Sequence, residues 1–157
     1  MELEIKNLSK KLTFKLEKYE VQVGLLEDKK RKKPLFRKFK NYAGKRLLRE
    51  GGVSKGASLV KVAEYLDKRF KWLRKPFLLK NNKEVVIVLN DIVKDMNGRG
   101  DKQRILNGFQ AVVRNPILRG EYGRNNARWA KIKGFDDALM MTGQFFKNIK
   151  ARFKNNV

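Results

Sequence analysis

A chain of 157 residues has the length of one ordinary domain, and we predict a single domain over residues 1–157. It contains no cysteine and no histidine, which excludes disulfides, thiolate metal sites and the Ser/His and Cys/His nucleophile pairs. The net charge of +23 indicates either a polyanionic partner or lysines spread over a solvated surface.

The N-terminal segment, residues 3–18, predicts an amphipathic helix. Its leucines recur at near-helical spacing among lysines and glutamates: Leu3, Leu8, Leu12 and Leu16. Charged residues interrupt every apolar stretch there, so we expect neither a signal peptide nor a membrane anchor, and synthesis in a cytoplasm. Apolar residues then alternate from Tyr19 to Leu25, which predicts a half-buried strand.

The segment from Glu27 to Ser58 combines a dense run of cations with aromatic residues. Such a segment can follow a phosphate backbone and stack on bases, which indicates nucleic-acid binding. Alternatively it is an extended loop or hairpin that orders against a neighbouring subunit, with its aromatic residues as contact anchors. We favour the second interpretation and predict an extended basic loop at 28–57. The candidate contacts to DNA or to an acidic surface are Lys29, Lys30, Arg31, Lys32, Lys33, Arg37, Lys38 and Lys40.

Two helices are predicted in the middle of the chain. The first is SLVKVAEYLDKRF, residues 58–70, and the turn at Pro76 follows it. The second is a single helix over residues 77–96, buried along much of its length. Its apolar stripe is Leu78, Val85, Leu89, Ile92 and Met96. Its acidic residues are predicted on the solvent-facing side: Glu84, Asp91 and Asp95.

Asp101 is the predicted N-cap of a further helix that ends before Pro116. A loop is predicted over residues 121–137. Thr142 or Gly143 then begins a short helix through Ile149, and the tail forms an edge strand.

The adjacent Asp136 and Asp137 are the most enzyme-like feature, because paired carboxylates can hold a divalent cation. No third ligand stands at a supporting spacing. A magnesium-dependent nuclease is therefore a remote interpretation, and we predict no enzyme, no metal and no cofactor.

The C-terminal residues 139–149, LMMTGQFFKNI, resemble the closing signature of the tail-completion, or head–tail joining, proteins of long-tailed phages, where a final strand follows it. Further resembling pieces occur in the same order as in that family. They are VQVGLL at 21–26, the helix at 58–70, the turn Arg74-Lys75-Pro76-Phe77-Leu78 before a long helix, and Lys131-Ile132-Lys133-Gly134 before the signature.

The resemblance implies an α+β fold in which a small mixed or antiparallel sheet packs with helices, as in a tail-terminator-like subunit. It also implies a virion protein of the phage neck that forms a ring of about six copies. The implied partners are connector or stopper proteins and tail tube proteins, with the DNA that passes through the neck as a further candidate. No membrane and no small-molecule substrate belong to that role.

The candidate residues for contacts with subunits or partners are Leu35, Phe36, Phe39, Tyr42, Arg74, Pro76, Phe77, Thr142, Gly143 and Gln144. The alternative function is a nucleic-acid-binding protein without sequence preference.

Overall fold

The computed structural model describes residues 11–16, 19–42, 45–79, 81–124, 127–133, 139 and 143–154. The strands are β1 (Lys11–Lys15), β2 (Glu20–Leu25), β3 (Lys30–Tyr42), β4 (Lys45–Ser58) and β5 (Ile149–Lys154). The helices are α1 (Leu59–Phe70), α2 (Lys75–Leu78), α3 (Lys83–Met96), α4 (Lys102–Leu118), α5 (Ala127–Lys133) and α6 (Gln144–Lys147). The predicted α+β class is confirmed, and the strands pair antiparallel.

The central sheet has the strand order β1-β2-β5. Its middle strand, β2, is the strand predicted from the alternating valines, but Val21 to Leu25 are all buried, so the strand is not half-buried. The polar Gln22 is accommodated there because its Oε1 accepts hydrogen bonds from the Arg152 guanidinium of β5. As predicted, β5 is an edge strand.

The predicted helix over residues 3–18 is wrong where the structure describes it, because Lys11–Lys15 is strand β1. Leu12 and Phe14 are buried while the residues between them are half-exposed, which is the two-residue period of a strand. Pairing with β2 provides hydrogen-bond partners for the backbone N–H and C=O groups of this segment, and so favours the strand over the helix. Leu3 and Leu8 lie outside the described residues.

The basic segment predicted as an extended loop at 28–57 is a long hairpin of β3 and β4. Its register shifts at three places, which marks bulges along the ribbon. At its base, the backbone N–H of Leu59 donates to the carbonyl of Lys29 at 2.7 Å. The hairpin therefore enters and leaves the core at one point, beside the start of α1.

The helix predicted over residues 58–70 is confirmed as α1. Ser58 caps it by accepting a hydrogen bond from the backbone N–H of Lys61 at 3.2 Å. Lys71 ends it in a left-handed conformation, with φ of 52°. Next to this end, Trp72 is completely buried and its indole N–H donates to the carbonyl of Ala63 at 3.1 Å.

The single helix predicted over residues 77–96 is wrong, because two helices, α2 and α3, occupy that segment. Asn82 forms the break between them. Its side chain accepts from the backbone N–H of Glu84 at 3.0 Å and donates to the carbonyl of Pro76 at 2.9 Å. Asparagine competes with the helical backbone for such bonds, so it starts α3 rather than continuing α2.

Helix α4 begins at the predicted cap, since Asp101 accepts from the N–H groups of Gln103 and Arg104. The predicted end before Pro116 is wrong, because α4 continues to Leu118. Pro116 and Ile117 are both buried, and their packing keeps the last turn helical despite the missing N–H of proline.

Two further predictions near the C-terminus need correction. Residues 127–133, predicted as loop, form helix α5. Helix α6 ends at Lys147, because Ile149 is the first residue of β5 and pairs with Leu25. Within the described part of the chain, no helix has the length and apolar character needed to cross a membrane.

Candidate functional site

The base of the hairpin is tied to the C-terminal segment by Gln144. Gly143 has a φ of +79°, a conformation that favours glycine, and it directs the chain into α6. The Gln144 side chain is 7% exposed. Its Nε2 donates to the carbonyl of Lys30 at 2.9 Å, and its Oε1 accepts from the backbone N–H of Lys32 at 2.8 Å. The side-chain amide therefore pairs with β3 as a neighbouring strand would.

The hairpin concentrates much of the charge of the protein. Between Lys30 and Ser58 there are eleven Lys and Arg residues and one acidic residue, Glu50, so this element carries +10 of the net +23. At its base, Lys29, Lys30 and Lys32 are exposed and Arg31 is half-buried. Cations occupy both strands up to the pair of Tyr42 with Lys45.

Several predicted contact residues have a backbone that belongs to β3 and side chains that lie outside the described part of the structure. They are Lys33, Leu35, Phe36, Arg37, Lys38, Phe39, Lys40 and Tyr42. Thr142 lies outside the described residues altogether, as do Asp136 and Asp137.

The other predicted contact residues that the structure describes make contacts within the subunit, and their role towards a partner stays a prediction. Arg74 lies 3.7 Å from the buried carboxylate of Asp67. Pro76 is buried. The ring of Phe77 lies 4.9 Å from that of Phe14, between centroids. Gly143 and Gln144 are also buried, and Gln144 holds the base of the hairpin.

The acidic face of α3 points inward, opposite to the prediction. Asp91 is 4% exposed, and its Oδ2 accepts from Arg104 Nε of α4 at 3.0 Å. Asp95 accepts from the hydroxyl of Tyr19 at 3.0 Å. Burial, together with this hydrogen bond and the Asp95 charge, raises the pKa of Tyr19 to about 12. Asp91 thus joins α3 to α4, and Asp95 joins it to the start of β2.

Glu84 completes the inward-facing acidic row. It accepts from Arg119 and from Asn115 Nδ2, the latter at 3.2 Å. Burial opposes ionisation, but the hydrogen bonds from Arg119 and Asn115 outweigh it and lower the pKa of Glu84. Three carboxylates predicted to face solvent are therefore bound within the subunit.

Several apolar residues of α2 and α3 face solvent in their place. Val86 is 51% exposed and Val93 is 55% exposed, and Leu78 of α2 is 70% exposed. Of the predicted stripe only Ile92 is buried, together with Val88, which the prediction had not included. The sequence signal was present as the apolar spacing, but that spacing does not say which side of a helix the rest of the chain covers.

No group of side chains that could hold a metal ion is visible in the described part of the chain. No three acidic residues converge there as metal ligands. A small open cleft with room for about one water molecule lies between α2 and the end of α4, near Pro76 and Tyr122.

Comparison with protein-family models, with curated proteins and with solved structures finds no match to this chain. A function is therefore inferred from the motifs of the sequence and from the surfaces just described.

Proposed function

We propose that this chain is a non-enzymatic virion protein of the phage neck, which completes or terminates the tail and joins it to the head connector as one subunit of a ring. The observation that carries the proposal is the position of the resembling segments in the sheet. The closing signature leads through α6 into β5, and β5 pairs directly with β2, which contains the early resembling segment VQVGLL. Ile149, the last residue of the closing signature, thus pairs in the sheet with Leu25 of the first resembling piece.

The hairpin supplies a physical means of ring formation. A strand rises about 3.3 Å per residue, so the 13 residues of β3 extend for at most roughly 40 Å. Subunits in a ring contact one another through two unlike surfaces. A long hairpin held at its base by Gln144 can reach an adjacent copy, while the compact core offers the receiving surface.

Electron microscopy of particles made without this protein tests the proposal. We expect separate heads and tails, and restoration of joined particles by the wild-type protein. A matched variant would shorten the hairpin by linking Leu35 directly to Arg49, which face each other in the ribbon, through a two-residue turn. This variant should fold but fail to restore joining. Normal infectious particles in the absence of the protein would refute the proposed role.

A second candidate function, nucleic-acid binding without sequence preference, is favoured by the concentration of +10 on one hairpin. A two-stranded ribbon fits the major groove of B-DNA, which is about 12 Å wide. Binding to a duplex should then weaken steeply with salt, because each neutralised phosphate releases counterions. No binding at about 50 mM salt would remove this candidate.

Two charge-matched variants locate any DNA-binding surface. One replaces four cations at the hairpin base with glutamine: Lys29, Lys30, Arg31 and Lys32. The other replaces four cations on or beside α1: Lys61, Lys68, Arg69 and Lys75. If the hairpin binds DNA, only the first lowers the salt slope, by about 0.9 for each phosphate that it no longer neutralises. Equal effects of the two variants would indicate that net charge alone attracts the DNA.

A further inference from the structure

The outward face of α3 has the spacing of a coiled-coil seam. Val86, Leu89, Val93 and Met96 are separated by three, four and three residues, and all four are exposed. This 3-4-3 spacing places side chains along one stripe of a helix that can interdigitate with a second helix. The stripe, which we call the α3 seam, is a surface that the described part of this subunit leaves uncovered.

The exposed flank of the α3 seam carries two lysines and no acidic residue. At 3.6 residues per turn, Lys83, Asn90 and Lys94 lie along the side of the seam that faces away from the core, together with Ile87, and all four are exposed. Lys94 Nζ also lies 3.9 Å from Asp91 Oδ1 within the subunit. The acids of α3 are Glu84, Asp91 and Asp95, and each of them is bound within the subunit. The helix therefore presents apolar and positively charged groups to solvent while its negative charges are used internally.

We propose that the α3 seam binds an amphipathic helix of another protein, whose apolar stripe is bordered by Asp and Glu. Charge complementarity selects this occupant. A second copy docked seam to seam would bring together two chains of +23 each, in which the acids of α3 are already bound within the subunit. With Val86 and Val93 at a and Leu89 and Met96 at d, Lys83 falls at an e position, where an acidic helix would instead place a carboxylate beside it. This inference does not depend on the proposed role in the phage neck.

Two synthetic helical peptides test the inference with the full chain. Both carry the same leucine stripe over about three heptads; one has Glu and the other Lys at the flanking positions. A third peptide has the acidic composition in scrambled order, so that it lacks the stripe. Fluorescence anisotropy at about 150 mM salt should show the acidic amphipathic peptide binding at least about tenfold tighter than either control. Equal binding of the acidic and scrambled peptides would overturn the proposal, since net charge would then explain it.

Variants of the chain assign the binding to the α3 seam. The double variant Leu89→Asp with Val93→Asp should bind the acidic peptide at least about tenfold more weakly than the wild type does. The matched control, Val53→Asp with Tyr65→Asp, makes the same charge change at two exposed apolar residues away from α3 and should leave binding close to wild type. Similar weakening in both double variants would overturn the proposal. Circular dichroism and thermal unfolding verify that each variant folds.

A second pair of substitutions tests the charge preference without altering the seam. Lys83→Glu with Asn90→Glu reverses the exposed flank and should reduce the advantage of the acidic over the basic peptide by at least about fivefold. An unchanged preference would overturn the assignment of an acidic partner. Sedimentation of the wild type tests whether a second copy occupies the seam instead. If the wild type forms dimers and the double variant Leu89→Asp with Val93→Asp does not, a second copy is the occupant and the proposal is refuted.

Discussion

Replacing Gln144 should loosen the hairpin from the core. The side chain makes two hydrogen bonds to the backbone of β3, to the carbonyl of Lys30 and from the N–H of Lys32. A hydrogen bond within a protein contributes about 1 kcal/mol net, and a buried group left unpaired costs about 1–3 kcal/mol. Gln144→Ala should therefore lower the free energy of unfolding by about 2 kcal/mol.

The isosteric variant Gln144→Glu separates hydrogen bonding from loss of volume. The carboxylate can still accept from Lys32, but when ionised it cannot donate to the carbonyl of Lys30 and repels that oxygen. Protonation restores a donor, so the folded state should raise the pKa of the introduced glutamate. The loss of stability should then be largest near neutral pH and should shrink as the pH falls towards the ordinary glutamate value of about 4.3.

Urea unfolding at several pH values measures both effects, and hydrogen exchange of the Lys32 amide reports on the hairpin directly. In Gln144→Ala that amide should exchange faster, while amides of the buried α4 helix keep their protection. An unfolding free energy of Gln144→Ala within about 0.5 kcal/mol of wild type, with the Lys32 amide equally protected, would refute this role of Gln144. A Gln144→Glu penalty that does not vary with pH would refute it as well.

Three other changes test the packing of the helices, each by urea unfolding. Gly108→Ala would place a Cβ 2.6 Å from Val88 Cγ2, so overpacking should destabilise the protein by about 1–3 kcal/mol, partly offset by better helix propensity. In the double variant with Val88→Ala, the loss of stability should be smaller than the sum of the losses in the two single variants. Additive losses would contradict the close approach of Gly108 to Val88. Asp101→Ala should cost about 1 kcal/mol by removing the α4 cap, whereas Asp101→Asn should cost little. Because the pKa of Glu84 is lowered in the folded state, its carboxylate contributes stability above about pH 4.3, and this stability is lost as the pH falls through the pKa of the folded state. The difference in unfolding free energy between wild type and Glu84→Gln should therefore narrow below about pH 4. A difference that does not vary with pH would exclude this linkage.

The two proposed surfaces use different parts of the molecule. The hairpin carries concentrated positive charge and is held at its base by Gln144, while the α3 seam carries apolar residues on a helix packed against α4. Salt should therefore weaken binding by the hairpin more than binding by the seam, because apolar burial responds little to ionic screening.

Local chemistry by itself determined several elements. Asp101 predicted the start of α4, since a carboxylate at that position accepts from the free N–H groups of the first turn. The alternating valines predicted β2, and the apolar spacing of residues 58–70 predicted α1. Caps and β-branched alternation act within a few residues, which is why the sequence alone was enough for them.

Only the tertiary structure decided which face of each element is covered. Helix α3 has an apolar stripe and an acidic face, and burial of the apolar stripe was the expectation. Arg104 and Arg119, distant in sequence, instead hold Asp91 and Glu84 inward, and Leu89 and Met96 of the stripe are left in solvent. In the same way, the partner of Lys11–Lys15 in the sheet turned a helical pattern into a strand. Such choices depend on pairing between residues far apart in the chain, and periodicity within one segment contains no information about those partners.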